Sequence, residues 1–147
     1  MRMTCMAASV AVVTITAGAC SLDPQAIVVR ADHDAYTIVT AEDGVMVTFV
    51  IENAGTATRH FARCGDHVPS WAERQRSSSL WEAVDYSSFM CQANQSMVPL
   101  RLGAGESYHD SRRVDAAGQY RICVHFGSNE RDMYTDQVCS TGFAVHD

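Results

Sequence analysis

Apolar and polar residues alternate along much of this chain with a period of two, the pattern of strands that bury one face. In Val45-Met46-Val47-Thr48-Phe49-Val50-Ile51-Glu52 the positions Val45, Val47, Phe49 and Ile51 form one apolar row, and β-branched and aromatic residues dominate, which predicts a core strand. Glu42-Asp43-Gly44 before it and Asn53-Ala54-Gly55-Thr56 after it are turn chemistry, so residues 36–40 and 58–63 are expected as its antiparallel neighbours. Segments 70–75 and 80–85 flank a polar Arg76-Ser77-Ser78-Ser79 break and read as a hairpin. In 97–102, Val98, Leu100 and Leu102 point inward, and Pro99 confines the strand to an edge or makes it a strand start. A polar strand follows at 107–114. In 119–126, Tyr120, Ile122, Val124 and Phe126 share a face, while Arg121, Cys123 and His125 point outward or toward a covering loop. Thr141, Phe143 and Val145 supply the last strand. About eight to nine short strands without a sustained helical period predict an all-β antiparallel β-sandwich.

The amino terminus breaks this pattern. Arg2 is the only charged residue before Cys20, and 5–15 is an apolar run about half as long as the roughly 20 residues that span a bilayer. Ala17-Gly18-Ala19-Cys20 resembles the lipobox of bacterial lipoproteins. That resemblance implies a signal peptide at 1–19, acyl chains on Cys20, a tether at 20–26 and the sandwich at 27–147. Ser21 after the Cys implies transfer to an outer membrane where the host has one. The alternative is ordinary cleavage after Ala17-x-Ala19, which would leave a soluble periplasmic or secreted protein.

Composition narrows the function. The 147 residues, 47% apolar and 19% charged, suffice for one domain. Eleven Arg and no Lys face seventeen acids, and the net charge of -6 disfavours nucleic acid as a partner. Without Lys there is no Schiff-base chemistry and no P-loop, and no GxGxxG cradle occurs.

Beyond Cys5 and Cys20, four cysteines remain, Cys64, Cys91, Cys123 and Cys139, an even count that predicts two disulfides in an exported domain. Three connectivities are open. Pairing Cys64 with Cys91 and Cys123 with Cys139 is favoured because each intervening segment reads as a loop that returns to its start; closing such loops contributes about 3 to 4 kcal/mol each. The competing reading uses His60, Cys64, His67, Cys123 and His125 as Zn or Cu ligands, although the spacing is not that of a zinc finger and CxxC and HExxH are absent.

No catalytic residue and no cofactor is assigned. His109-Asp110 with Ser107 or Ser111 lists the members of a triad, yet on a strand Ser107, His109 and Ser111 share a face while Asp110 points away. Calcium at Asp32-His33-Asp34, or at Asn129 to Asp132 with Asp136, lacks the D-x-[DN]-x-[DN]-G loop. The more informative region runs from 64 to 95, where Trp71, Tyr86, Phe89 and Met90 lie among Arg residues. That composition matches interface cores, so these four are candidate partner contacts.

Leu100-x-Leu102-x-x-Gly105-Glu106-Ser107-Tyr108, then Ala117-Gly118-x-Tyr120-Arg121, resembles the carboxyl half of immunoglobulin-like domains in bacterial lipoproteins, and Phe61-x-x-Cys64, Trp81 and Cys91 fit the same group. More distantly, the chain is similar to the bacterial intracellular proteinase inhibitor domain. The resemblance implies a non-enzymatic, lipid-anchored envelope protein that binds another envelope protein or serves as a structural module, with protease inhibition or Zn/Cu binding as alternatives. Tyr120 is expected as a Tyr corner, its hydroxyl bonded to a nearby carbonyl.

Overall fold

The computed structural model describes residues 27–40, 44–84, 91 and 95–147. The expected signal peptide, Cys20, the tether and the contact candidates Tyr86, Phe89 and Met90 lie outside these residues.

Alternation becomes strands where a buried face awaits it. In the first sheet β1 (Ile27–Ala31) pairs with β3 (Val45–Asn53), which pairs with β8 (Ser107–Val114), all antiparallel. In the second, β9 (Gly118–Phe126) is central. One side of it carries β5 (Ser70–Ser77), followed by β6 (Leu80–Ala83). The other side carries β10 (Asp136–Cys139) and β11 (Phe143–His146), and β11 pairs in parallel with β2 (Ala35–Thr37). A two-stranded ribbon joins β4 (Arg59–Cys64) to β7 (Met97–Leu102). Strands β1, β3 and β8 opposite β5, β9 and β11 reproduce in chain order the A, B, E and C, F, G strands of an immunoglobulin-like sandwich. The predicted fold class is therefore found, with eleven strands among the described residues.

Between the layers, Val47, Phe49 and Ile51 from β3 meet Tyr120, Ile122, Val124 and Phe126 from β9, and Phe143 and Val145 from β11; each is at most 4% exposed. The parity read from the sequence holds on β3 and β9. Two neighbours do not hold. Residues 36–40 and 58–63 were expected beside β3, but β1 and β8 occupy both its edges, so the turns on either side carry the chain across to other sheets. Asn53, fully buried, makes the second crossing: its amide donates to the carbonyls of Ala57 (2.8 Å) and Leu102 (2.9 Å), and its Oδ1 accepts from Gly55 N. Tyr120 does not form the expected corner. Its hydroxyl bonds no carbonyl among the described residues; the ring packs on Phe143, with the Arg74 guanidinium 5.9 Å from its centroid.

β8 is an edge strand, as its polarity suggested, but it is not solvated throughout. Tyr108, Asp110, Arg112 and Val114 alternate inward, and the Asp110 side chain is 2% exposed. Its Oδ1 meets His67 Nδ1 at 2.7 Å and its Oδ2 accepts Val68 N at 2.7 Å, while Arg112 donates to the Ser70 carbonyl.

Replacing Asp110 by Ala should cost about 2 to 4 kcal/mol, because it strands a buried N–H and the His67 ring without their acceptor. Urea unfolding measures this; a loss below about 0.5 kcal/mol, the usual size for a surface change, would contradict it. A second expectation concerns base. Burial and a hydrogen bond to Asp32 push the Tyr36 hydroxyl up to about 12, so the folded chain holds that proton after the unfolded chain has released it near the ordinary value of 10. Stability should therefore be intact below pH 10 and fall as pH rises toward 12. Tyr36→Phe should flatten part of that fall in urea midpoints taken across the range. The rest remains because burial raises Tyr108, Tyr120 and Tyr134 as well.

Candidate functional site

The β4–β7 ribbon has two faces. Phe61, Leu100 and Leu102 turn toward the core. On the opposite face, register sets His60 beside Arg101, Ala62 beside Pro99 and Cys64 beside Met97. The ribbon is sewn to the end of β9 by reciprocal bonds, His60 N to Gly127 O (3.0 Å) and Gly127 N to His60 O (2.9 Å). Beyond Gly127 the chain loops out and returns as β10. Asn129 shapes that loop: its Oδ1 accepts Arg131 N at 2.9 Å, its amide donates to Asp132 Oδ2 at 2.5 Å and its carbonyl accepts Asp132 N. The loop closes so tightly that a Cβ at Gly127 would lie 1.8 Å from the Asp132 carbonyl oxygen, a backbone atom.

Ribbon and loop border an open, shallow cleft of about 660 Å³ lined by His60, Arg101, Asn129, Glu130, Arg131 and Asp132. That size suits a peptide or a small organic ligand. His60 is 9% exposed, and its Nδ1 has no hydrogen-bond partner among the described residues. Arg101, Glu130 and Arg131 form no ion pair among the described residues. The cleft thus holds two guanidinium groups and a carboxylate free to meet a ligand. Further along the same side, Met97 (50% exposed) and Tyr134 (45%) touch, the Tyr134 hydroxyl 3.5 Å from the Met97 sulfur. Burial of the Tyr134 ring raises its hydroxyl above the ordinary value. Four residues of strand separate Met97 from Arg101, about 13 Å. Cleft and apolar pair therefore lie along one side of the ribbon, and together are termed the trough.

The residues singled out from sequence fare unevenly. Cys64 pairs with Cys91 and Cys123 with Cys139, the favoured connectivity. Disulfides of this kind belong to an oxidising compartment outside the cytoplasm. They also consume the sulfurs on which a Zn or Cu site would draw; the one cluster of metal-ligand type among the described residues is Glu73 with Cys123 and Cys139, whose sulfurs are bonded to each other. Cys123 does point away from the core, but it is fully buried: Cys139 lies opposite it on β10 and Trp71 opposite it on β5.

Trp71, expected at a partner surface, is 3% exposed. Its indole donates to Glu73 Oε1 at 3.0 Å and its ring lies 4.7 Å from His125, so this tryptophan covers the disulfide and is closed to a partner. Arg121 extends the same outer layer, paired with Glu73 and stacked 4.7 Å over Trp81. Asp110 faces away from Ser107, His109 and Ser111 and orients His67 instead, whose ring meets no hydroxyl among the described residues. The buried carboxylate and the exposed imidazole thus meet no nucleophile among the described residues. Asp32 is engaged by Tyr36, and Asn129 and Asp132 by each other, so the calcium candidates spend oxygens on the fold.

Sequence reasoning missed the trough because its parts lie far apart in the chain. His60 and Asn129 to Asp132 stood out only as metal-ligand types, and Arg101 carried no signal of its own.

No protein-family model matches the chain, and no curated protein matches it. Among solved structures it is similar to the ASH/PapD-like domain of human CEP192 (PapD-like domain 7), at 16% identity with a TM-score of 0.32, over 97% of this chain and 94% of that one.

The loop wall of the trough should depend on Gly127. Gly127→Ala must displace backbone and should cost about 1 to 3 kcal/mol in thermal or urea unfolding. Gly142→Ala, whose added carbon would lie 3.4 Å from the Trp81 ring and 3.7 Å from the Tyr120 carbonyl oxygen, serves as the control and should stay within about 1 kcal/mol of the parent. Equal behaviour of the two variants would contradict the tight closure.

Proposed function

We propose that this chain is an exported, lipid-anchored and non-enzymatic module of the bacterial cell envelope that binds another envelope protein. Cys20 provides the anchor and the two disulfides suit the oxidising compartment in which the domain would work. The observation that carries the binding role is the contact between two half-exposed apolar side chains, Met97 and Tyr134, where the Cys64–Cys91 bridge meets β7, with Val98 (43% exposed) next to Met97 on the other face of the strand. Large apolar groups kept in contact at a surface mark recognition sites more often than isolated ones do. Burial removes Trp71 alone from the expected contacts, and β7 with the adjacent loop joins Tyr86, Phe89 and Met90 as contact surface in this reading.

A photo-crosslinking residue at position 98, introduced in cells, should capture a discrete partner. The double change Met97→Ser and Val98→Ser should abolish capture while shifting stability by no more than about 0.5 kcal/mol, because both side chains are half exposed. Cys20→Ala should move the protein from the membrane fraction to the soluble one. Capture that survives the double change, or membrane association that survives loss of Cys20, would overturn the corresponding half of the proposal.

A further inference from the structure

The trough carries more information than exposure. At one end stand Arg101 and Arg131, neither with an ion-pair partner among the described residues, beside a buried His60 ring nitrogen that also lacks one. At the other end Met97 and Tyr134 present a thioether against an aromatic ring. We propose that the trough is the docking site of an extended segment of a partner protein, with a carboxylate seated between Arg101 and Arg131 and an apolar side chain three to four residues away on Met97 and Tyr134. This rests on the reading of the chain as a protein-binding module and names the chemistry of what it binds.

Three arguments select this occupant. The first is charge: in a chain with a net charge of -6 the cleft sets Arg101 and Arg131, neither in an ion pair among the described residues, beside Asp132, whose carboxylate is held by the Asn129 amide, and one unpaired acid, Glu130, so a ligand carboxylate finds two open guanidinium partners here. The second is geometry. A guanidinium matches a carboxylate with two parallel hydrogen bonds, and the interval of about 13 Å between the two ends equals four residues of extended chain. The third is the ribbon edge. Pro99 lies in the middle of β7 and has no N–H, so pairing of an added strand along β7 is interrupted and recognition falls to the side chains of the trough. Glu130 stands on the same rim and opposes an acidic ligand, which gives the proposal a signed test.

The test uses the mature protein and a synthetic array of pentapeptides with a fixed apolar residue (Leu or Phe) at the first position, a fixed acidic residue (Asp or Glu) at the last and mixed residues between. Each member is made as free acid and as carboxy-terminal amide, so that a terminal carboxylate is told from a side-chain one. Array members should bind with sensitivity to salt. Arg101→Ala and Arg131→Ala should each weaken them at least about tenfold, or 1.4 kcal/mol. Met97→Ser should weaken them too, and Glu130→Gln should tighten them. Peptides in which Lys replaces the acid should not bind. No binding by any member, or binding indifferent to both Arg variants, overturns the proposal, as does binding of anionic phosphatidylglycerol vesicles in place of peptides. Should the partner captured in cells at position 98 remain captured by Arg101→Ala and Arg131→Ala, this docking mode fails while the binding-module reading stands.

Discussion

Three side chains of one edge strand hold the chain where it crosses from one part of the fold to the other. Tyr108 donates to the carbonyl of Asp66, Asp110 accepts from Val68 N and Arg112 donates to the carbonyl of Ser70. The offset is 42 residues in every case. Alternate inward-facing groups of β8 thus meet alternate residues of 66–70, and side chains supply the partners that a backbone ladder would otherwise give. The need is physical. Asp66 and His67 are exposed, but Val68 and Ser70 are buried where the stretch enters β5, and a buried N–H or C=O left alone there costs about 1 to 3 kcal/mol. A polar strand lies against the interior because the backbone passing beneath it requires polar partners.

That ladder also shows what a linear reading can and cannot recover. The inward rows Val47, Phe49, Ile51 and Tyr120, Ile122, Val124, Phe126 were legible because period-two alternation is local and the buried face is apolar. Asp110 and Arg112 follow the same alternation, but polar residues at inward positions look like a solvated strand until their partners, 42 residues back, are in view. The neighbours of β3 failed for a related reason. Turn chemistry reports that the chain reverses, not which sheet it rejoins, and the choice depends on β1, whose Ile27-Val28-Val29 start carries a strand signal of its own. Trp71 was assigned to a surface from composition alone. Aromatic residues enrich cores and interfaces alike, and here the indole covers a disulfide. Of the candidate site, His60 and the Asn129 to Asp132 run were visible only as metal-ligand types; the cleft needs the loop after Gly127 to fold back onto β4 and β7.

The outer layer of the second sheet explains how a sulfur can face away from the core and remain dry. Cys139 stands directly across from Cys123, and Trp71, Glu73 and Arg121 complete a lid whose charged members satisfy each other. One extra residue is accommodated between β10 and β11 at 140–142, since β9 pairs Cys123 with Cys139 but Tyr120 with Phe143. Ser140 repairs the ladder there: its N–H bonds the Ile122 carbonyl and its hydroxyl accepts Ile122 N. The disulfide and the bulge together keep one strand continuous across two registers, so β11 still reaches β2.

Recognition at the β4–β7 ribbon is consistent with how the remaining surface is spent. On the second sheet, Arg121 pairs with Glu73 and Arg76 with Glu82, and the β3 surface pairs Arg30 with Glu52, so cations on those faces already have carboxylate neighbours. The trough is where guanidinium groups, a buried imidazole and half-exposed apolar side chains meet without such compensation among the described residues. A fold gains nothing from leaving such groups uncompensated, since pairing or withdrawal would stabilise it. Their persistence side by side on a ribbon pinned at one end by Cys64–Cys91 and at the other by the His60–Gly127 bonds is what a preformed binding surface requires: ligand groups meet side chains already held apart at a fixed interval, and little ordering entropy remains to be lost on binding.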